Sequence, residues 1–75
     1  MVTAFILIMT KTGKEKEVIS ELQQNSNIKE AWAVYGDYDI IAKANVADLD
    51  GLNSLLLQQI RNIQNISMTS TLIGL

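Results

Sequence analysis

Two pairs of carboxylates stand closest to chemistry in this sequence: Asp37 with Asp39, and Asp48 with Asp50. Carboxylates at such spacing can exchange a proton with a substrate or hold a hard cation. Each pair also has a simpler use. Asp37 follows Gly36 in a turn, Asp48 is placed to cap a helix, and Asp50 falls in that helix's first turn, where the helix dipole favours an acid. The hydroxyl side chains have no histidine to activate them, and Lys43, between Ala42 and Ala44, reads as a solvated or interface lysine. Trp32 reads as a core or interface anchor ahead of a stacking platform. The four glycines are scattered and match no phosphate-binding spacing. Lys11, Lys14 and Lys16 are interleaved with Glu15 and Glu17, the pattern of a solvated helix face.

What the chain lacks narrows the field further. It has no histidine, the commonest general base and metal ligand, and no cysteine for a nucleophile, a disulfide or a thiolate metal site. The expectation is a protein that is not an enzyme and holds no metal or cofactor. A net charge of −2 and a pI near 4.8 argue against direct DNA binding, which needs clustered Lys and Arg. Val2–Met9 is apolar but has no basic leader and is too short to span a bilayer, so a cytoplasmic location with no membrane partner is expected.

The elements that would position these residues follow from periodicity. Val2–Thr10 is almost continuously apolar and rich in β-formers, as in a strand covered on both faces. Thr12 and Glu15 have capping-box spacing at the start of a helix whose stripe is Val18, Ile19 and Leu22. Asn25-Ser26-Asn27 ends it, Asn tolerating the left-handed conformation of a helix stop. Strands over about 28–35 and 38–45 flank the Gly36-Asp37 turn and read as a hairpin. Asp48 caps a second helix with Leu49, Leu52, Leu55, Leu56, Ile60 and Ile63 at helical spacing; Leu57 alone falls off that stripe. Gln64-Asn65 breaks the chain before a last strand, Ile66–Leu75.

The order β-α-β-β-α-β, with right-handed crossovers, predicts an α+β, ferredoxin-like fold: a four-stranded antiparallel sheet with two helices on one face, formed by residues 1–75 as one domain. The first and third strands are expected at its centre. Ala31, Ala33, Tyr35, Ile41, Thr69, Thr71 and Ile73 are expected on the uncovered face. A chain of this mass exposes roughly 4,600 Å² when folded, a marginal core for a monomer. With 48% hydrophobic and only 19% charged residues, an uncovered apolar face predicts association with other copies.

One segment is more specific than composition. Val34-Tyr35-Gly36-Asp37-Tyr38-Asp39-Ile40-Ile41 resembles the "Val-x-Gly-x-Tyr/Phe-Asp-hydrophobic-hydrophobic" turn of the effector domain of the Lrp/AsnC (feast/famine) regulators, also called the RAM domain. The run Ile63–Ile73, with Thr69-Ser70-Thr71 inside it, is similar to the family's last helix turn and final strand. The chain departs in having Gln64-Asn65 where the family usually has Pro-Gly. It begins at the effector domain's first strand, and so is expected to be a stand-alone RAM protein without the helix-turn-helix.

The resemblance implies a sensor of amino acids or similar small effectors. Family members dimerise through their sheets and assemble into rings, often octamers or decamers, with the effector between neighbouring dimers. By position, Gly36 and Asp37 would offer backbone groups, Asp39 would pair with the ligand ammonium, and Tyr35 and Tyr38 would wall the side-chain pocket. Thr69 and Thr71, with Ser70 nearby, would hydrogen-bond the carboxylate. Full-length Lrp/AsnC regulators would be partners for co-assembly. Two other readings remain at this level: a ligand-independent assembly module, and a small dimeric ferredoxin-like enzyme, since fold does not fix function.

Overall fold

The computed structural model describes residues 1–75. Its elements in chain order are β1 (Val2–Thr10), α1 (Glu15–Gln23), β2 (Ile28–Ala33), β3 (Ile40–Val46), α2 (Leu49–Ser54) and β4 (Ile66–Ile73). α2 runs directly into a π-helical segment, Leu55–Ile60. The strands form one antiparallel sheet in the order β2-β3-β1-β4. This is the ferredoxin-like α+β fold, with the two most apolar strands, β1 and β3, at the centre.

The core lies between the helices and one face of the sheet. Ala4, Ile6 and Ile8 of β1 and Ile40, Ala42, Ala44 and Val46 of β3 alternate inward, and Val18, Leu22, Leu52, Leu55 and Ile60 meet them from the helices. The period of two in the strands and of about four in the helices is what puts these residues on one surface. Leu49, expected on the helix stripe, is exposed: it stands one turn ahead of Leu52, at the helix's free end.

Two local expectations are corrected. Thr12 and Glu15 form no capping box. Gly13 adopts φ 81° and the Lys14 N–H donates to the Lys11 carbonyl at 3.1 Å, so an extra turn makes Lys14 the cap residue, with no side-chain bond. After α1, Asn25 is not left-handed; its Oδ1 accepts the Asn27 N–H at 2.9 Å instead, an Asx turn. The left-handed residue is Asn65, at φ 73°, in the Gln64-Asn65 break.

The largest correction concerns faces. Ala31 lies opposite Ala42 and Ala33 opposite Ile40, while Thr69, Thr71 and Ile73 lie opposite Ile8, Ile6 and Ala4. All five are therefore on the helix side of the sheet. Register breaks between Ile28 and Glu30 and between Met9 and Thr10 are the cause. Each bulge adds a residue on one strand and exchanges the faces beyond it. The uncovered face instead carries Phe5, Leu7 and Met9 of β1, Trp32 of β2, Ile41 and Lys43 of β3, and Met68, Ser70 and Leu72 of β4.

Candidate functional site

Residues 34–39 connect β2 to β3, a longer link than a two-residue hairpin. Three hydrogen bonds fix it. The Val34 N–H donates to the Asp39 carbonyl at 2.9 Å, the Asp39 N–H donates to the Ile8 carbonyl at 2.9 Å, and the Thr10 N–H donates to Asp39 Oδ2 at 2.8 Å. Asp39 thus ties the connection to β1, leaving its second carboxylate oxygen without a partner in the chain. Gly36 sits at φ 126°, where side chains are rarely accommodated. Tyr35, Gly36 and Asp37 project into solvent, while Tyr38 and Asp39 are half-buried.

Thr69, Ser70 and Thr71 lie on β4, opposite Ile8, Leu7 and Ile6. Because Asp39 bonds Ile8 from the other side, the turn and the threonines share one end of the sheet and are separated by β1. The three β4 hydroxyls do not share a face. Thr69 and Thr71 point to the helix side, and Ser70 points to the uncovered face. The helices lie over β2, β3 and β1, which leaves Thr69 exposed and Thr71 half-buried.

Asp48 accepts the Gly51 N–H at 2.7 Å and is the N-cap of α2, which accounts for that carboxylate. The acidic side chains nowhere gather in a group of three able to hold a metal ion. No helix is long and apolar enough to cross a membrane.

Sequence periodicity misses a second feature at this end. A groove of about 460 Å³ runs between the π-helical segment and β4, with Leu56, Leu57, Ile60, Arg61, Ile66 and Thr69 along it. The Arg61 N–H donates to the Leu56 carbonyl five residues back, at 3.0 Å, and this widened turn sets Leu57 and Arg61 beside the strand. The displaced position of Leu57 on the helical stripe is the one trace of the groove in the sequence.

The sequence model of the "Lrp/AsnC ligand binding domain" matches residues 3–75. The chain is 36% identical over 74 residues to the HTH-type transcriptional regulator FL11 of Pyrococcus furiosus, covering 99% of this chain and 48% of that protein. It thus spans about half the length of the curated relatives it matches. Among solved structures it is similar to FFRP-DM1, with a TM-score of 0.95, 45% identity and 100% of both chains covered. It is also similar to AsnC of Escherichia coli, with a TM-score of 0.93 and 31% identity over 99% of this chain and 50% of that one. The turn, the Thr-x-Thr strand and the fold that joins them belong to a chain of the Lrp/AsnC ligand binding domain family.

Proposed function

We propose that this chain is a non-enzymatic effector-binding module that senses an amino acid or similar small zwitterion at a site built between subunits. The observation that supports the reading is the position of the turn and Thr69 on either side of Ile8 of β1, at one end of the sheet. Asp37 and the free oxygen of Asp39 offer anionic acceptors for an ammonium, and Thr69 and Thr71 offer hydroxyl donors for a carboxylate. Tyr35 and Tyr38 border the ammonium side. Neither half recognises a zwitterion alone, so binding and assembly are coupled: the effector shifts the assembly state by its differential affinity for the paired and unpaired forms. The module acts in the cytoplasm, with residues 1–75 as one unit. Its output is a change in transcription through co-assembly, in rings, with full-length Lrp/AsnC regulators.

Thermal melting combined with light scattering across the amino acids tests this. A ligand at 100 times its dissociation constant adds about 2.7 kcal/mol to a protein that binds it only when folded. A shift in both melting point and mass for one amino acid, or a chemically related few, is expected. No response to any of them would defeat the sensor reading and favour an assembly module indifferent to ligand.

A further inference from the structure

We propose that Lys43 and Glu30 choose the partner of the uncovered sheet face: the face accepts a second copy of this chain, and the lysine of each copy pairs with the glutamate of the other. The inference goes beyond the sensor reading and does not rest on it.

Lys43 is the central observation. It stands on β3, one of the two central strands, with Phe5 of β1 on one side and Glu30 of β2 on the other. Charged residues are ordinary on an edge strand, where they block unwanted pairing. On a central strand, close to Phe5, Ile41 and Trp32, an ammonium sits where any cover over the face strips it of water. Lys43 is already half-buried in the single chain. Glu30 is its cross-strand neighbour, yet the two form no ion pair, since the chain's one ion pair is Lys14 with Glu17. Lys29 is committed elsewhere, its Nζ donating to the Ser26 carbonyl at 3.1 Å.

The strand register builds this pair. Ile28 lies opposite Ala44, and an unbroken register would set Lys29 opposite Lys43, two like charges face to face. The bulge between Ile28 and Glu30 puts the glutamate there instead.

The charges also say what covers the face. Glu30 and Lys43 are the charged side chains among its paired strand residues, and they sum to zero. One cation and one anion make a surface that complements itself: in a two-fold dimer residue i meets j and j meets i. Facing sheets pack about 10 Å apart, a gap that a lysine and a glutamate from opposite sheets span. Each Lys43 then gains a carboxylate from the other copy. A foreign face without matching charges leaves the ammonium covered and unpaired, or sets it against its like. The apolar residues supply affinity, and the crossed pairs supply the choice of partner.

Sedimentation equilibrium of the intact chain tests the pair, with far-UV circular dichroism to verify folding. Lys43→Glu and Glu30→Lys are each expected to raise the dimer's dissociation constant by about thirtyfold or more, the loss seen when a buried charge is left unpaired. The double variant is expected to return to the wild-type value. Mixing separates a crossed pair from one closed within each chain. Wild type and double variant both satisfy their own crossed pairs, but a mixed dimer sets lysine against lysine and glutamate against glutamate. Native mass spectrometry of an equimolar mixture, one chain isotope-labelled, is therefore expected to show few mixed dimers. Random mixing overturns the proposal, because a pair within each chain leaves mixing free. Single variants that dimerise like the wild type overturn it too, as do a double variant no tighter than the singles and a wild type that stays monomeric. Where a reversal fails to fold, Lys43→Gln and Glu30→Gln take its place: each is expected to weaken the dimer, and wild-type dissociation constants in both overturn the proposal. A melting-point response to an amino acid bears on the sensor reading alone.

Discussion

Asp39 Oδ2 accepts the backbone N–H of Thr10 at 2.8 Å, joining the β2–β3 connection to the end of β1 across a sequence separation of 29 residues. In the function proposed above the same aspartate meets the effector ammonium, so one carboxylate would serve both structure and binding. Asp39→Ala leaves a part-buried N–H without its acceptor, at a cost of about 1–3 kcal/mol. For a domain of this size each kcal/mol lowers the melting point by roughly 4–8 °C. Asp39→Asn keeps an acceptor oxygen and is expected to recover most of that loss without restoring any amino-acid response. Thermal melts of the two variants with and without amino acids separate the roles. An Asp39→Asn chain that melts as low as Asp39→Ala would show that the charge, and not the hydrogen bond alone, supports the connection.

Gly36 gives the connection a backbone conformation that no other residue supplies cheaply. At φ 126° it lies well beyond the left-handed helical region near about +57° that asparagine tolerates. Steric room is not the constraint, since a Cβ built there meets nothing within 4 Å. Gly36→Ala and Gly36→Asn are therefore both expected to destabilise by about 1–3 kcal/mol through backbone strain. Urea melts with an unchanged slope and a lowered midpoint would show it. An Asn variant as stable as the wild type would mean that the turn relaxes to another conformation.

How much of this was legible in the sequence depends on what each feature encodes. The element order was legible because β1 is a long apolar run, β3 alternates and both helices carry apolar stripes, and the Tyr35–Asp39 turn because its residues form a motif. The faces of β2 and β4 were not. Nothing in Ile28-Lys29-Glu30 marks the bulge that moves Ala31 and Ala33 to the helix side, and nothing at Thr10 marks the one that does the same for Thr69, Thr71 and Ile73. Alternation records faces only while the register is unbroken. The groove at Arg61 was hidden for a different reason: Leu55, Ile60 and Ile63 keep their expected core side, so the widened turn leaves no break in the apolar stripe.

The cap of α2 is a purely structural use of a carboxylate that the sequence presents as half of a pair. Asp48 Oδ1 accepts the Gly51 N–H at 2.7 Å from an extended backbone. Asp48→Ala is expected to cost about 1 kcal/mol and Asp48→Ser much less. Neither substitution is expected to alter any response to amino acids, since Asp48 begins α2 at the Val46 end of β3, away from Asp39. An effector response lost in Asp48→Ser would place the second acid pair in the site.

The uncovered face of the sheet makes the strongest demand for a partner. Phe5, Leu7, Met9, Trp32, Ile41, Met68 and Leu72 form an apolar surface interrupted by Lys43, which lies on β3 between Phe5 and Glu30. The molecule measures 33 × 22 × 17 Å, so its broad face covers roughly 700 Å², close to the ~800 Å² per partner of a stable interface. Leu7 sits on β1 between Ile41 and Ser70, near the centre of that surface. Leu7→Glu places a charge there without touching the core, whose residues are Ile6 and Ile8 on the opposite side. A folded monomer is expected, with unchanged far-UV dichroism and a mass of about 8.3 kDa in sedimentation, whereas the wild type is expected to sediment as a dimer or larger. A Leu7→Glu chain that still dimerises would move the primary interface away from this face and leave its exposed tryptophan and methionines without an explanation.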